Sequence, residues 1–187
     1  MQLDNIPTPV YIANMLKFFI ACLLSGSSLA IQAQSTALPS WFTVAFRNKR
    51  LDSLFTITSF PSLTPLQADF NGDGIRDIAV FVKEPKTGKS GILLMEGKTL
   101  AHRVFGAGRA FATGDDNFVW ADRWRVYSSQ TARETRFDPK TGDILGSKTV
   151  NLNKPGILIE DMEDGAAIAG GIIYWDGKKY RWIHQGE

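Results

Sequence analysis

The chain has a single cysteine, Cys22, so no intrachain disulfide can form. It has two histidines, His102 and His184, and neither stands at metal-motif spacing. No serine lies in a nucleophile-elbow pattern, and no glycine-rich run is built to cradle a phosphate. No fixed-period repeat recurs along the chain, which argues against a repeat array. Charge of one sign is missing too, because the net charge is +2 with basic residues scattered among acidic ones. That balance gives no steering field for nucleic acid, so no nucleic-acid partner is expected.

What the chain does have begins near its start. From Met15, the stretch MLKFFIACLLSGSSLAIQA carries one positive charge, Lys17, then an apolar and small-residue run with Ala-containing cleavage candidates. That is the build of a secretory signal peptide. Ser and Gly interrupt the run before it reaches the roughly 20 residues of a membrane-spanning helix, so no stable span remains after cleavage. Residues 1–33 are therefore read as signal peptide plus an N-terminal start extension, with Met15 a candidate true start. Cleavage is expected after Ala33, with Ala30 as the alternative. Too few apolar residues precede Cys22 for a lipoprotein box, so lipid anchoring is not expected. A mature chain without cysteine suits a bacterial periplasm or cell exterior better than a disulfide-stapled extracellular module.

Residues 34–187 read as one mature β-rich domain, long enough to bury a core. Ile75–Glu84 and Ile92–Gly97 are apolar runs around PKTGKSG, the pattern of a hairpin with a longer loop. LAHRVFGAG adds a strand, NFVWADRWRVYSS alternates in part, and TARETRFDPKTGDILGSKTV reads as two strands about a KTGD turn. In GGIIYWDGKKYRWIHQGE, Asp176-Gly177 separates two aromatic-rich runs, the clearest hairpin signal in the chain. LPSWFTVAFRNKRLDSLF reads as a short helix or as a strand followed by a turn. NKPGILIEDMEDGAAIAGG reads as a strand leading into a flexible acidic loop. The fold class expected is mainly β: one antiparallel-sheet domain with at most one short helix.

DFNGDGIRD, from Asp69 to Asp77, is the most specific motif. Asp69, Asn71 and Asp73 occupy positions 1, 3 and 5 of a calcium-type loop. Ile75 offers its carbonyl at position 7, Asp77 stands at position 9, and Gly74 at position 6 permits the sharp turn. Three carboxylates so close together repel, and a divalent cation offsets that repulsion. Position 12 is Val80 instead of the bidentate Glu of an EF-hand, and a strand follows instead of a helix. A structural calcium is expected; a metal-free Asx-type turn is the alternative, and a catalytic metal site a more remote one.

ADFNGDGIRDIAVF resembles the calcium loops of FG-GAP or VCBS-type repeats, found in integrin-like β-propellers and bacterial surface proteins. The resemblance implies calcium held between β-strands by Asp69, Asn71, Asp73, Asp77 and the carbonyl of Ile75. Those propellers repeat the unit, whereas this chain has one copy, so neither a complete β-propeller nor adhesion is implied. As a whole the chain is similar to small exported proteins of Bacteroidetes-type bacteria.

Other clusters read more plainly. Asp115, Asp116 and Asn117, with Asp122 nearby, lack the spacing of the first loop and read as a solvated turn, with a second ion site as the alternative. Trp120 and Trp124 are candidates for an aromatic ligand-binding platform if exposed on one strand face, or for core if buried. Glu160, Asp161, Glu163 and Asp164 read as an exposed acidic turn, with an acid/base pair as the sharper alternative. The function expected is an exported, calcium-stabilised, non-catalytic binding or cell-envelope interaction protein with a glycan, peptide or envelope-protein partner. An extracellular carbohydrate- or peptide-active hydrolase is the alternative.

Overall fold

The computed structural model describes residues 37–59, 61, 64–111 and 116–186. The leader expected over 1–33, its cleavage sites and Cys22 lie outside the described residues. The architecture is organised around strand β3, Asp77–Lys83, in which every residue but Lys83 is buried. A continuous apolar run instead of an alternating one means burial on both faces. Ile78, Val80 and Val82 point to one side and Ala79 and Phe81 to the other, following the period of two along a strand.

β3 pairs antiparallel with β4, Ser90–Met95, and β4 with β5, His102–Gly106. The other edge of β3 is shared by two short strands, β1, Thr56–Ile57, and β2, Leu66–Ala68. One face of this first sheet is covered by helix α1, Ser40–Asn48, where the chain had left helix or strand open. Phe42, Ala45 and Phe46 fall at i, i+3 and i+4, which makes one apolar stripe. Phe42 and Phe46 stack with centroids 5.7 Å apart. A 3₁₀ turn, Leu51–Ser53, then carries Leu51 and Phe55 into the same cluster.

The opposite face packs on a second sheet. Its order is β11, β10, β9, β6, for Tyr180–Gly186, Ala166–Trp175, Gly156–Glu163 and Arg123–Tyr127. Phe81, Ile92, Leu94 and Phe105 meet Trp124, Ile157, Ile159, Ile173 and Tyr180 in the main core. The far face of the second sheet, with Leu158, Ile172 and Ile183, is covered by Ala132 and Leu152 of and beside the hairpin β7–β8, Thr131–Phe137 and Ile144–Asn151. The layers are thus helix, sheet, sheet, hairpin. The protein is mainly β with antiparallel sheets, and none closes into a barrel or a propeller. Among the described residues no helix is long and apolar enough to cross a membrane.

One expectation needs correction. The acidic stretch Glu160 to Glu163 is not a flexible loop but the second half of β9. Asp164 and Gly165, with φ of 50° and 84°, form the tight turn into β10. Two successive positive-φ residues match the right-handed twist of paired strands, so the hairpin closes in two residues. Glu160 is buried on this strand, and Arg123 from β6 bonds its carboxylate at 2.8 Å, with Arg125 at 3.6 Å. A buried carboxylate needs such partners.

Candidate functional site

The loop from Asp69 to Asp77 joins β2 to β3 and folds around its own carboxylates. Asp69 Oδ1 accepts the N–H groups of Gly72 at 2.6 Å and Asp73 at 3.0 Å, and its Oδ2 accepts that of Gly74 at 3.0 Å. Asn71 Oδ1 accepts from Asp73 N–H at 2.9 Å, and Asp73 Oδ1 from Ile75 N–H at 2.9 Å. These are Asx-type bonds, in which short polar side chains replace backbone partners. Gly74 has φ of 88° with open space around it, so the bend is what requires glycine there.

Asp77 behaves differently from the other acids of the motif. It is fully buried, and its oxygens accept N–H groups from Phe70 at 3.0 Å, Asn71 at 3.3 Å and Gly97 at 3.0 Å. It thereby ties both ends of the loop to the β4–β5 turn. The close approach depends on Gly97, because a Cβ there would run into the Arg76 carbonyl oxygen. Burial pushes the Asp77 carboxyl up to about 6, against the pull of the three N–H donors, and the charge of Asp73 adds to the rise.

The donors fit a hard cation in kind. Each carboxylate or amide oxygen has two lone pairs. Asp69 Oδ2, both oxygens of Asp73, Asn71 Oδ1 and Asp77 Oδ1 each have one protein bond and one lone pair to spare. Among the described residues, no three His, Cys, Asp or Glu side chains converge as a metal-holding group. Asp69, Asp73 and Asp77 thus stand close along the chain without converging on one point, Asp77 being drawn to Gly97. No described Lys, Arg or His pairs with Asp69, Asp73 or Asp77. Lys154 comes near, its Nζ 2.9 Å from where a Cβ on Gly72 would sit, but it packs on the glycine and makes no ion pair.

Among the described residues, three clefts surround the end of the β10–β11 hairpin. The largest, about 790 Å³, lies beside β7 and β8 and is lined by Phe111, Phe137, Tyr174, Trp182, His184 and charged residues including Glu134 and Arg181. The second, about 430 Å³, has Asn71 of the acidic loop in one wall and Trp175 and Asp176 in another. The third, about 280 Å³, runs past Arg103, Phe105 and Trp175. Tyr174 is common to the first two, and Trp175 to the last two. Within them, the Tyr180 hydroxyl and His184 Nε2 are buried with no hydrogen-bond partner among the described residues. Burial, and then the charge of Asp77, hold the Tyr180 hydroxyl well above the ordinary phenol range. Burial pushes the His184 imidazole down, which keeps it neutral.

The turn at the hairpin tip is built by a side chain. Asp176 Oδ1 accepts the N–H groups of Lys178 and Lys179, both at 2.8 Å, and Oδ2 accepts Arg181 Nε. The N–H of Lys179, followed by Arg181, draws the Asp176 carboxyl down to about 2. Of the expected Asp-Gly pair, only Gly177 takes positive φ, at 96°.

No protein-family model, curated protein or solved structure matches the chain. The likeness to FG-GAP and VCBS-type loops thus rests on the spacing of Asp69 to Asp77 alone.

The remaining candidates resolve into structural parts. Trp120 and Trp124 form no exposed platform. Trp124 is 6 % exposed and meets Phe81 edge-on at 5.0 Å, while Trp120 lies half-buried against Phe118 before β6 begins. The strand starts only at Arg123, so the two never share a strand face. Asp116 pairs with Lys89, Asn117 accepts from Ser90 N–H, and Asp122 accepts from Met162 N–H. Asp115 lies outside the described residues. These polar groups fasten the approach of β6 to β4 and β9.

Proposed function

We propose that this is an exported protein of the periplasm or cell exterior, stabilised by calcium in the 69–77 loop. It acts as a non-catalytic binding module for a glycan, peptide or envelope-protein partner. The observation that carries the reading is the loop itself: three carboxylates in one short turn, none paired with a cationic side chain among the described residues. Their oxygens are oriented by backbone N–H groups and keep lone pairs to spare, and calcium would supply the missing positive charge. The loop residues hold and orient that site, and Asp77 transmits its order to β3 and the β4–β5 turn.

The distribution of acids favours binding over hydrolysis. Hydrolysis of a glycosidic bond uses two carboxylates flanking one site. Of the three clefts among the described residues, the one beside β7 and β8 is lined by one carboxylate, Glu134, the second by Asp176, and the third by none. Aromatic residues line the first and third instead, and amides with Tyr174 and Trp175 the second, as in sites that bind by contact area. Melting of the protein in calcium and in excess chelator tests the reading. A higher melting temperature in calcium is expected, and superimposable curves count against it.

A further inference from the structure

We infer that the cleft between the acidic loop and the β10–β11 turn binds a neutral saccharide, and that calcium in the loop strengthens that binding. The second half rests on the proposed function above. The cleft is lined by three side-chain amides, Asn71, Asn151 and Asn153, with Lys154, Trp175 and Asp176. An amide offers donor and acceptor side by side, and a sugar hydroxyl is both donor and acceptor. Asn151 and Asn153 are exposed, and their amides bond to no described residue. Trp175 is half-buried and gives the wall an apolar ring with its indole N–H at one edge. The C–H face of a pyranose suits such a ring.

Charge separates this cleft from its neighbour. The lining holds one cation, Lys154, and one anion, Asp176, which already pairs with Arg181, so a single lysine is all that would draw a phosphate or an acidic polymer. The larger groove has Lys148, Lys179 and Arg181 against Glu134 alone, which suits an anion better. A volume of about 430 Å³ is at the small end for ligand sites, the scale of one or two sugar rings.

Asn71 supplies the coupling. It stands at the third position of the loop and in the wall of the cleft, and its Nδ2 now donates to Asp73 Oδ2 at 3.2 Å. A cation held by Asn71 Oδ1 and Asp73 fixes the amide plane that the saccharide meets. By linkage, a saccharide then tightens calcium binding by the same factor.

The test is a titration of the purified protein with methyl glucoside, methyl mannoside, N-acetylglucosamine, maltose and cellobiose. Tryptophan indole N–H signals are followed by NMR, in calcium and in chelator. At least one saccharide is expected to shift the Trp175 signal saturably, with an affinity on the order of millimolar. Asn153→Ala, a change at an exposed loop position, is expected to weaken it about tenfold. Phe137→Ala in the larger groove is expected to leave it unchanged, and chelator to weaken it severalfold. The inference is overturned if no neutral saccharide moves the Trp175 signal, if Asn153→Ala has no effect, or if only acidic oligosaccharides or peptides bind. Saccharide binding without calcium uptake keeps the cleft and removes the coupling together with the calcium reading. Calcium uptake without saccharide binding removes the cleft alone.

Discussion

The carboxylate of the turn at Asp176 is paired with a cation of the chain, whereas no described cation pairs with the carboxylates of the loop from Asp69 to Asp77. Asp176 accepts two backbone N–H groups and Arg181 Nε, and its carboxyl is drawn down to about 2. Asp77 accepts three backbone N–H groups but no cation, sits in the interior, and is pushed up to about 6. Both turns use side-chain oxygens to organise backbone. Only the second leaves its charge unbalanced, and that imbalance sets a structural turn apart from a site prepared for an outside ion.

The largest effect is expected at Asp77. Asp77→Ala leaves the N–H groups of Phe70, Asn71 and Gly97 without their acceptor around a buried position, a loss of about 3 kcal/mol or more in urea unfolding. Asp73→Ala removes a partly exposed donor and little packing, so it should cost far less stability. Its mark is a calcium affinity weaker by about tenfold or more, measured by competition with a calcium-sensitive dye.

Acid titration of unfolding sharpens the contrast because the two acids have opposite signs. In chelator, Asp77 has a folded-state value above its unfolded one of 3.8, so its contribution is fully present below 3.8 and lost as pH rises through about 6. Asp176 has a folded-state value below 3.8, so its contribution is present above 3.8 and lost as pH falls through about 2. Asp176→Asn should therefore flatten the acid limb of the stability curve and leave the limb near 6 in place. At neutral pH it should be the smallest effect of the set, since Asp176 is open to solvent and screened.

Much of this fold is legible in the chain because its signals are local. The continuous run Ile78 to Val82 announces a strand buried on both faces, and the KTGD and Asp176-Gly177 turns announce their hairpins. The helix is legible only in hindsight of its stripe, Phe42, Ala45 and Phe46, since nine residues leave a short record of period. The acidic stretch misleads for a non-local reason. Glu160 lies in a strand because Arg123 and Arg125, far back in the chain, arrive to pair with it. The Asp164-Gly165 turn signal was present but lay among charges that read as solvated loop. The fate of Trp124 turns on Phe81 across the sandwich, which spacing cannot reveal. The nine positions of the loop are contiguous and readable; the cleft beside it joins Asn71, then Asn151, Asn153 and Lys154, and Tyr174 to Gly177, which only folding brings together.

Whether calcium occupies the 69–77 loop is decided by calorimetric titration of the chelator-stripped protein. One saturable binding event is expected, abolished or strongly weakened by Asp73→Ala and unchanged by Asp176→Asn. Heats no larger than dilution in the unmodified protein would contradict it.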